Sequence, residues 1–348
     1  MTTLDTAAAP AAVPRPGAAA GPRGLRTTAL GLALLAALLA GGLWMPRWLQ
    51  FLCTIAAANG VVTLGIVLLM RGGVVSFGQG LVFAAGGYAA ALAANKVGLT
   101  DGLALTLLGG VAAVAVAAPF AMLLARYRAI FFAMLTLALS MVFYGILVKT
   151  SALGGSDGFN VSRPTFFGAK VADEMAGWAM YALAVGATGI LALLARVYFD
   201  STRGLVSLAM RENELRVEYL GGSVRHLMAG NYLLAAFMGG TGGALSVQAL
   251  GHIDPNFSYW TTSGEFVFAA ILAGHHSVLA VFLSSFLLEV VRSFSNLYFP
   301  NGWQAALGLF LLVVIRFLPR GLGSLWLDRS GRTRGVDKDS VDGAGRRA

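Results

Sequence analysis

Two acidic side chains inside apolar runs are the first candidates for chemistry in this sequence. Glu265 follows Thr261-Thr262-Ser263-Gly264 at the start of a short apolar run, and Glu289 lies three residues before Arg292. A carboxylate within a membrane segment is costly to bury and therefore points to function. For Glu265, a place on a polar path competes with a simpler role, that of an acid favoured at a helix N-terminus. For Glu289, the spacing predicts a local ion pair with Arg292 on one helix.

Uncharged polar side chains add three further candidates for a polar path. Asn59 lies inside an apolar run, and Ser76 and Gln79 lie beside a glycine-rich break that begins at Gly72-Gly73. Such side chains can line a path for a polar solute, and they can equally form hydrogen bonds between packed helices. Both interpretations of Asn59, Ser76 and Gln79 remain open.

Residues for catalysis, metal binding or nucleotide binding are missing from the sequence. The four histidines have no carboxylate at metal-ligand spacing, and they are His226, His252, His275 and His276. The single Cys53 excludes an intrachain disulfide and a cysteine metal cluster. No G-x-x-x-x-G-K-[ST] phosphate loop occurs, and the glycine-rich run at 239–243 lies in an apolar stretch where close packing explains it. We therefore expect a protein that is not an enzyme and has no cofactor of its own.

Composition identifies the class of protein that must position these residues. Of 348 residues, 57% are hydrophobic and 12% are charged, and the mean hydropathy is +0.74. Soluble domains carry about 25% charged residues. The 45 glycines suit helices that pack closely in lipid. The fold class expected is all-α, a polytopic membrane protein, and the net charge of +9 reflects loops rather than nucleic-acid binding.

Ten apolar runs are long enough, or nearly long enough, to be membrane spans. They are 27–45, 48–70, 81–94, 103–125, 130–148, 178–199, 227–250, 259–273, 278–294 and 303–318. The eighth is short and polar at its start, so its irregular backbone must face protein or a water-filled cavity. We expect a transmembrane domain over 27–320 between two disordered cytoplasmic tails, 1–26 and the basic 321–348.

The distribution of basic residues decides between nine and ten spans. With ten spans and an internal N-terminus, most of the 25 lysines and arginines lie on the inner side, whereas nine spans move the basic C-terminal segment outside. The positive-inside rule favours ten spans with both termini in the cytoplasm.

A charged segment, 200–226, interrupts the apolar pattern between the sixth and seventh spans. Leu205, Leu208, Leu215 and Tyr219 recur at helical spacing, and Gly221-Gly222 is a helix stop. The spacing of Glu212 and Arg216 predicts an ion pair one turn apart. We expect one short amphipathic helix on the inner side, which either lies on the bilayer or docks into a soluble partner.

Five motifs occur in the right order for a resemblance to a known family. They are SFGQGLVFAAGGYAAAL at 76–92, GGSDGF at 154–159, RENELRVEYLGG at 211–222, the run from GGTGGALSVQ to TTSGEFVF at 239–268, and FLPRGLGSL at 317–325. Together they resemble the membrane subunit of ABC importers of the branched-chain amino acid class, a type II importer-like permease. The resemblance covers most of the chain and leaves out the two tails.

The resemblance implies an assembly in the bacterial plasma (inner) membrane. Its partners would be a second permease subunit, two ATP-binding subunits that hold ATP and Mg, and an extracytoplasmic solute-binding protein. The family's coupling helix corresponds to the segment 200–226, and Arg211, Glu212, Asn213, Glu214 and Gly221 match its motif. Branched-chain amino acids are the implied substrates, with urea, short amides or aromatic acids as alternatives.

One departure from the family pattern and two rival classes remain. The family has a G-G-x-G-[SN] turn after the eighth span, where this chain has Ala273-Gly274-His275-His276-Ser277. An ion-coupled secondary transporter would need carboxylates near the membrane midplane, and the apolar runs offer few candidates, Glu265 and Glu289. A membrane-embedded enzyme would need a cluster of His, Asp and Glu, which the sequence lacks.

Overall fold

The fold is described from a computed structural model, which describes residues 22–166, 168, 172–274, 278–298, 300, 302–317 and 322. Most of the two predicted tails, 1–26 and 321–348, therefore lies outside the described residues, as do His275 and His276. The first helix begins at Pro22, five residues before the predicted domain boundary.

The described chain is built mostly from α-helices, which confirms the predicted helical class. The helices are α1 (Pro22–Gly41), α2 (Arg47–Arg71), α3 (Gln79–Leu92), α4 (Gly102–Leu124), α5 (Ala129–Lys149), α6 (Asp173–Asp200), α7 (Thr202–Glu212), α8 (Glu214–Tyr219), α9 (Val224–Leu250), α10 (Trp260–Ala273), α11 (Val278–Tyr298) and α12 (Trp303–Phe317). Two short strands, β1 (Phe159–Asn160) and β2 (His252–Ile253), pair antiparallel.

Helices occur at all ten predicted spans, but they differ in length. Among the described residues, six helices are long and apolar enough to cross a membrane: α2, α4, α5, α6, α9 and α11. The described apolar parts of α1 and α12 are shorter. With 14 residues, α10 is about 21 Å long, which is less than the roughly 30 Å of a hydrocarbon core. The predicted short eighth helix is therefore present.

The helices α2, α3 and α9 are largely buried, and α3 and α4 pack against α9 through glycines. A Cβ atom at Gly86 would lie 2.3 Å from the carbonyl oxygen of Gly240, and one at Gly243 would lie 1.9 Å from that of Phe83. No side chain fits at these points, so the helix backbones touch directly. This contact explains the glycine run at 239–243 as a packing surface.

Two breaks in the α-helical pattern, one at Phe77 before α3 and one at Ser258 before α10, contact the middle of α5. The hydroxyl of Ser140 donates to the carbonyl oxygen of Ser258 at 2.8 Å, and the hydroxyl of Ser258 donates back to the carbonyl oxygen of Ser140 at 3.2 Å. The amide of Phe77 donates to the hydroxyl of Thr136 at 3.2 Å. Protein groups thus satisfy irregular backbone that lipid could not. The helices α3 and α10 begin directly after these two breaks.

The strand β1 lies in the connection after α5, and it pairs with β2 in the connection after α9. The side chain of Asn95 donates to the carbonyl oxygen of Asn160 at 2.8 Å, and a ring nitrogen of His252 lies 3.0 Å from the amide oxygen of Asn160. At Gly158 the backbone has φ +70°, and a Cβ atom there would meet the carbonyl oxygen of Ile253 at 1.9 Å. The GGSDGF motif at 154–159 is therefore tied to the segment that follows α9.

Candidate functional site

The charged segment between α6 and α9 forms two short helices, where the sequence predicted one. The break lies at Asn213, whose backbone is extended (φ −159°, ψ 105°) and whose side chain accepts a hydrogen bond from the amide of Arg216. Asparagine is a good N-cap, so it ends α7 and starts α8. Within the described residues no ion pair joins Glu212 to Arg216, because this break separates them. The predicted one-turn pair is therefore wrong.

Three residues of the predicted apolar stripe face outward, as expected of a helix that docks on a bilayer or a soluble partner. Leu205 and Leu215 are 58% and 64% exposed, and Tyr219 is 89% exposed. The face that packs on the other helices contains Gly204, Ser207, Met210 and Val217 instead. Small residues allow the close approach, since a Cβ atom at Gly204 would lie 2.2 Å from the carbonyl oxygen of Tyr198. The helix pair thus presents apolar side chains to its surroundings.

A buried amide attaches α7 to the long helices on either side. Asn231 of α9 is fully buried, and its side-chain nitrogen donates to the hydroxyl of Ser207 at 2.9 Å. Its amide oxygen accepts a hydrogen bond from the hydroxyl of Tyr198 in α6. Met210 packs beside Gly72 at the C-terminal end of α2. One asparagine therefore links α6, α7 and α9.

The second short helix, α8, has a different attachment. The Nε atom of Arg128 lies 2.5 Å from Oε1 of Glu214. The Nη1 atom of Arg128 donates to the carbonyl oxygens of Ala125, at 2.8 Å, and Tyr127, at 3.0 Å. The connection between α4 and α5 is thereby joined to the start of α8.

The five predicted coupling residues have different environments. Arg211, Glu212, Asn213 and Gly221 are exposed, and Gly221 has φ +83°, the left-handed conformation that glycine adopts at helix ends. Glu214 is the exception because it is half-buried in its ion pair with Arg128. The sequence analysis did not select Arg128 for this role. The only indication in the sequence was that Arg128 is a basic residue between the fourth and fifth predicted spans.

The second polar region lies between α2, α10 and α11. Arg292 donates to Glu265 at 3.1 Å, and Asn59, at the middle of α2, donates to Glu289 at 3.2 Å. These groups surround a small cavity of about 30 Å³, room for a single water molecule. Its lining residues are Asn59, Thr63, Glu265, Phe266, Ala269, Ser285, Leu288, Glu289, Arg292 and Leu307.

This arrangement changes the predicted roles of three residues. Arg292 does not serve only a local pair with Glu289, because its described ion pair reaches across to Glu265 in α10. Glu289 accepts the hydrogen bond from Asn59 while remaining within the electrostatic influence of Arg292. Arg292 is therefore a member of the polar region that the sequence analysis did not include. Its position three residues after Glu289 was the available indication.

The two other path candidates lie elsewhere. Ser76 and Gln79 are buried, and neither lines the cavity that contains Asn59 and Glu265. The hydroxyl of Ser76 accepts from the amide of Gly78 at 3.2 Å, and the side chain of Gln79 donates to the carbonyl oxygen of Ala235 at 3.2 Å. For both side chains the structure shows hydrogen bonding at a helix break and between helices.

The described part of the chain contains no group of three or more His, Cys, Asp or Glu side chains able to hold a metal ion. His226 and His252 each contact a neighbouring polar side chain, Ser223 and Asn160 respectively. The histidines therefore serve turns and the small sheet in the described structure.

Residues 48–316 match the family model for the permease component of branched-chain amino acid transport systems. The chain belongs to this family. The match covers well over half of the permease, including both polar regions described above. No curated protein and no solved structure matches the chain. A permease component works within a transport system of several subunits, so this permease requires partners.

Proposed function

We propose that this permease is the membrane subunit of an ABC importer and that the α7–α8 pair docks into a separate ATP-binding subunit. The observation that carries the proposal is the exposure of Leu215, Tyr219 and Leu220 beside charged side chains in the membrane subunit of a transport system. Apolar side chains that protrude from a polar segment are typical of a helix that fits a groove in a partner. The chain lacks a phosphate loop of its own, so the energy would come from that partner.

The proposed topology has ten crossings with both termini in the cytoplasm. The positive-inside rule supports it, and so does the presence of a helix at every predicted span. The short α10 crosses only part of the membrane, and the buried segment Pro255–Ser258 completes the crossing against α5. We place the permease in the bacterial plasma membrane, next to a second permease subunit and an extracytoplasmic solute-binding protein, as the resemblance implies.

Branched-chain amino acids are the proposed substrates, as in the family that the chain belongs to. Asn59 and Glu265 are the proposed polar contacts on the path, since both line one cavity at the middle of the membrane domain. Ser76 and Gln79 would act nearby by holding the start of α3 in place. Urea, short amides and aromatic acids are the alternative substrates.

Docking can be tested with one surface substitution and a matched control. The permease is co-expressed with the ATP-binding subunits encoded nearest to it and purified from membranes. Tyr219→Arg introduces a charge into the exposed apolar surface and should reduce co-purification of ATPase at least about tenfold, the size of a typical hot-spot loss. Val97→Arg alters a site that is 80% exposed and far from α8. Equal loss in both variants, or none in Tyr219→Arg, would contradict the docking surface.

Substrate and energy source are tested in proteoliposomes. The reconstituted complex, with its binding protein, should accumulate radiolabelled leucine only when ATP is present on the side of the ATP-binding subunits. Labelled urea and phenylalanine serve as the competing substrates. Uptake of leucine by the permease alone, driven by a proton or sodium gradient, would instead establish a secondary transporter.

A further inference from the structure

The α8 helix is joined to α5 by an ion pair whose basic partner is held in place. Besides contacting Glu214, Arg128 donates to the carbonyl oxygens of Ala125 and Tyr127 at the end of α4. Arg128 is also the residue that directly precedes α5. Its guanidinium therefore has a defined position, and a displacement of α8 acts directly on the start of α5.

The backbone at this junction is constrained. Ala129, the first residue of α5, has φ +48°, in the left-handed region that L-residues other than glycine seldom adopt. A residue persists in this conformation only where its surroundings hold it. The contacts of Arg128 with α4 and α8, together with the hydrogen bond from the Phe132 amide to the Arg128 carbonyl oxygen, hold the backbone at the junction between Arg128 and α5.

Farther along, α5 holds both breaks in the helical pattern. Thr136 accepts the hydrogen bond from the amide of Phe77, just before α3, and Ser140 exchanges two hydrogen bonds with Ser258, just before α10. A Cβ atom at Gly78 would lie 2.6 Å from the carbonyl oxygen of Thr136, so the contact is close. A shift of α5 must therefore move the starts of α3 and α10, or break these bonds.

The α7 helix acts on a different group of helices. It is bound through Ser207 to Asn231 of α9, and through that amide to Tyr198 of α6. Between α7 and α8 lies the extended residue Asn213, which interrupts the helix. Both short helices therefore contact α9, but the described ion pair to the residue that precedes α5 belongs to α8.

We propose that the Arg128–Glu214 ion pair transmits movement of α8 to α5, and through α5 to the two breaks in the middle of the membrane domain. Arg128 is then a positioning residue for transport, and Glu214 acts within the permease rather than on the ATPase. The proposal rests on the proposed function and extends it, because the resemblance by itself gives a coupling role to the segment 200–226 and none to α5. The physical test of such coupling is whether α5 changes between two states in response to ATP, and whether that change depends on this ion pair.

Charge reversal separates coupling from folding. The Arg128 and Glu214 side chains are 27% and 40% exposed, and ion pairs that reach water contribute little to the stability of a fold. Both Arg128→Glu and Glu214→Arg should therefore insert, and Arg128→Glu, which lies outside the docking helices, should also bind the ATP-binding subunits normally. The double variant, with the charges exchanged, re-forms the pair. Its rescue is partial, because an arginine at the start of α8 opposes the helix dipole.

The readout is the effect of ATP on thiol labelling of single cysteines in the purified complex, after Cys53→Ser. Leu139→Cys reports on α5 and Ala187→Cys reports on α6. Each single charge reversal should reduce the ATP response at position 139 at least about fivefold, the lower end of usual coupling strengths. The response at position 187 should persist, and the double variant should recover most of the response at 139.

The outcomes separate this inference from the proposed function. An unchanged response at position 139 in either single variant overturns the inference while leaving ATPase docking intact. Failure of the double variant to recover any response also overturns it, because the pair is then not what the single substitutions removed. If the unsubstituted complex binds no ATPase, or ATP affects neither position, the proposed function itself fails.

Discussion

The side-chain nitrogen of Asn231 donates a hydrogen bond of 2.9 Å to the hydroxyl of Ser207, and this contact joins the long helix α9 to the short helix α7. The amide oxygen of Asn231 accepts from Tyr198 in α6, so the side chain is satisfied on both sides although it is fully buried. Buried polar groups with partners on several helices specify one arrangement of those helices. The α7 helix is therefore held in one orientation relative to α6 and α9.

Asn231→Ala should uncouple transport from ATP hydrolysis. The substitution leaves the hydroxyls of Ser207 and Tyr198 without their shared partner, at a cost of about 1–3 kcal/mol for buried unsatisfied groups. We expect the complex to assemble and hydrolyse ATP, with leucine uptake per ATP reduced at least about fivefold. Thr54→Val is the control, because Thr54 is equally buried but its hydroxyl bonds only to the carbonyl oxygen of Gln50 in the same helix. Equal uptake per ATP in both variants would contradict this role.

Removing one partner of the Arg292–Glu265 ion pair should destabilise the permease more than removing both. Arg292→Met leaves two carboxylates near each other, Glu265 and Glu289, in a largely apolar region. The side chains are 43% and 23% exposed, so the cost should be about 1–2 kcal/mol, below the range for fully buried pairs. Thermal unfolding in detergent measures it. Arg292→Met combined with Glu265→Gln should recover part of the loss, and an additive loss would argue against the pair.

Replacing a glycine of α9 by alanine should destabilise the permease at Gly243 but not at Gly230. Gly243→Ala places a methyl group 1.9 Å from the carbonyl oxygen of Phe83, which the helices can accommodate only by separating. The expected loss is about 3 kcal/mol or more, at the upper end of overpacking effects. Gly230→Ala, in the same helix, meets nothing within 4 Å and should stabilise by about 0.5–1 kcal/mol. Both are measured by thermal unfolding, and similar losses would contradict the described packing.

Membrane topology can be tested with two exposed positions after Cys53→Ser. Tyr219→Cys lies on α8 and should react with a membrane-impermeant thiol reagent only when the cytoplasmic side is open. Val97→Cys lies just after α3, at the end of the third span that the proposed topology places outside. It should react with the same reagent in intact cells. These side chains are 89% and 80% exposed, so in cells that lack the ATP-binding subunits, which would cover Tyr219, access is limited by the membrane. Labelling of both positions from the same side would contradict ten crossings.

Several features followed from the sequence because they depend on local rules. Length and apolarity predicted each long helix, and the start of α10 was expected to be irregular because polar residues precede it. The glycine run at 239–243 was expected to pack closely, and Asp101 and Ser201, which cap α4 and α7, are typical helix-start residues. The family followed from five short motifs that lie in order along the chain.

Other features depended on contacts between residues far apart in the chain. Periodicity predicted one helix over 200–226 but could not reveal the break at Asn213, because asparagine occurs both in helices and at caps. The apolar stripe of Leu205 and Leu215 was identified and its outward position agrees with the expected docking, but the residues that pack this segment on the other helices were not identified. Burial of that segment is instead decided by the fit of Gly204 and Ser207 against α6 and α9.

By itself, the sequence determined that this protein is a helical membrane permease, where its helices lie and to which family it belongs, since these depend on composition, local spacing and short motifs. The tertiary structure alone decided that Arg292 contacts Glu265, 27 residues away, and that Arg128 contacts Glu214, 86 residues away. Such pairs arise when helices from distant parts of the chain pack together. Spacing within one helix predicts only neighbours three or four residues apart, and for that reason it assigned Arg292 to Glu289.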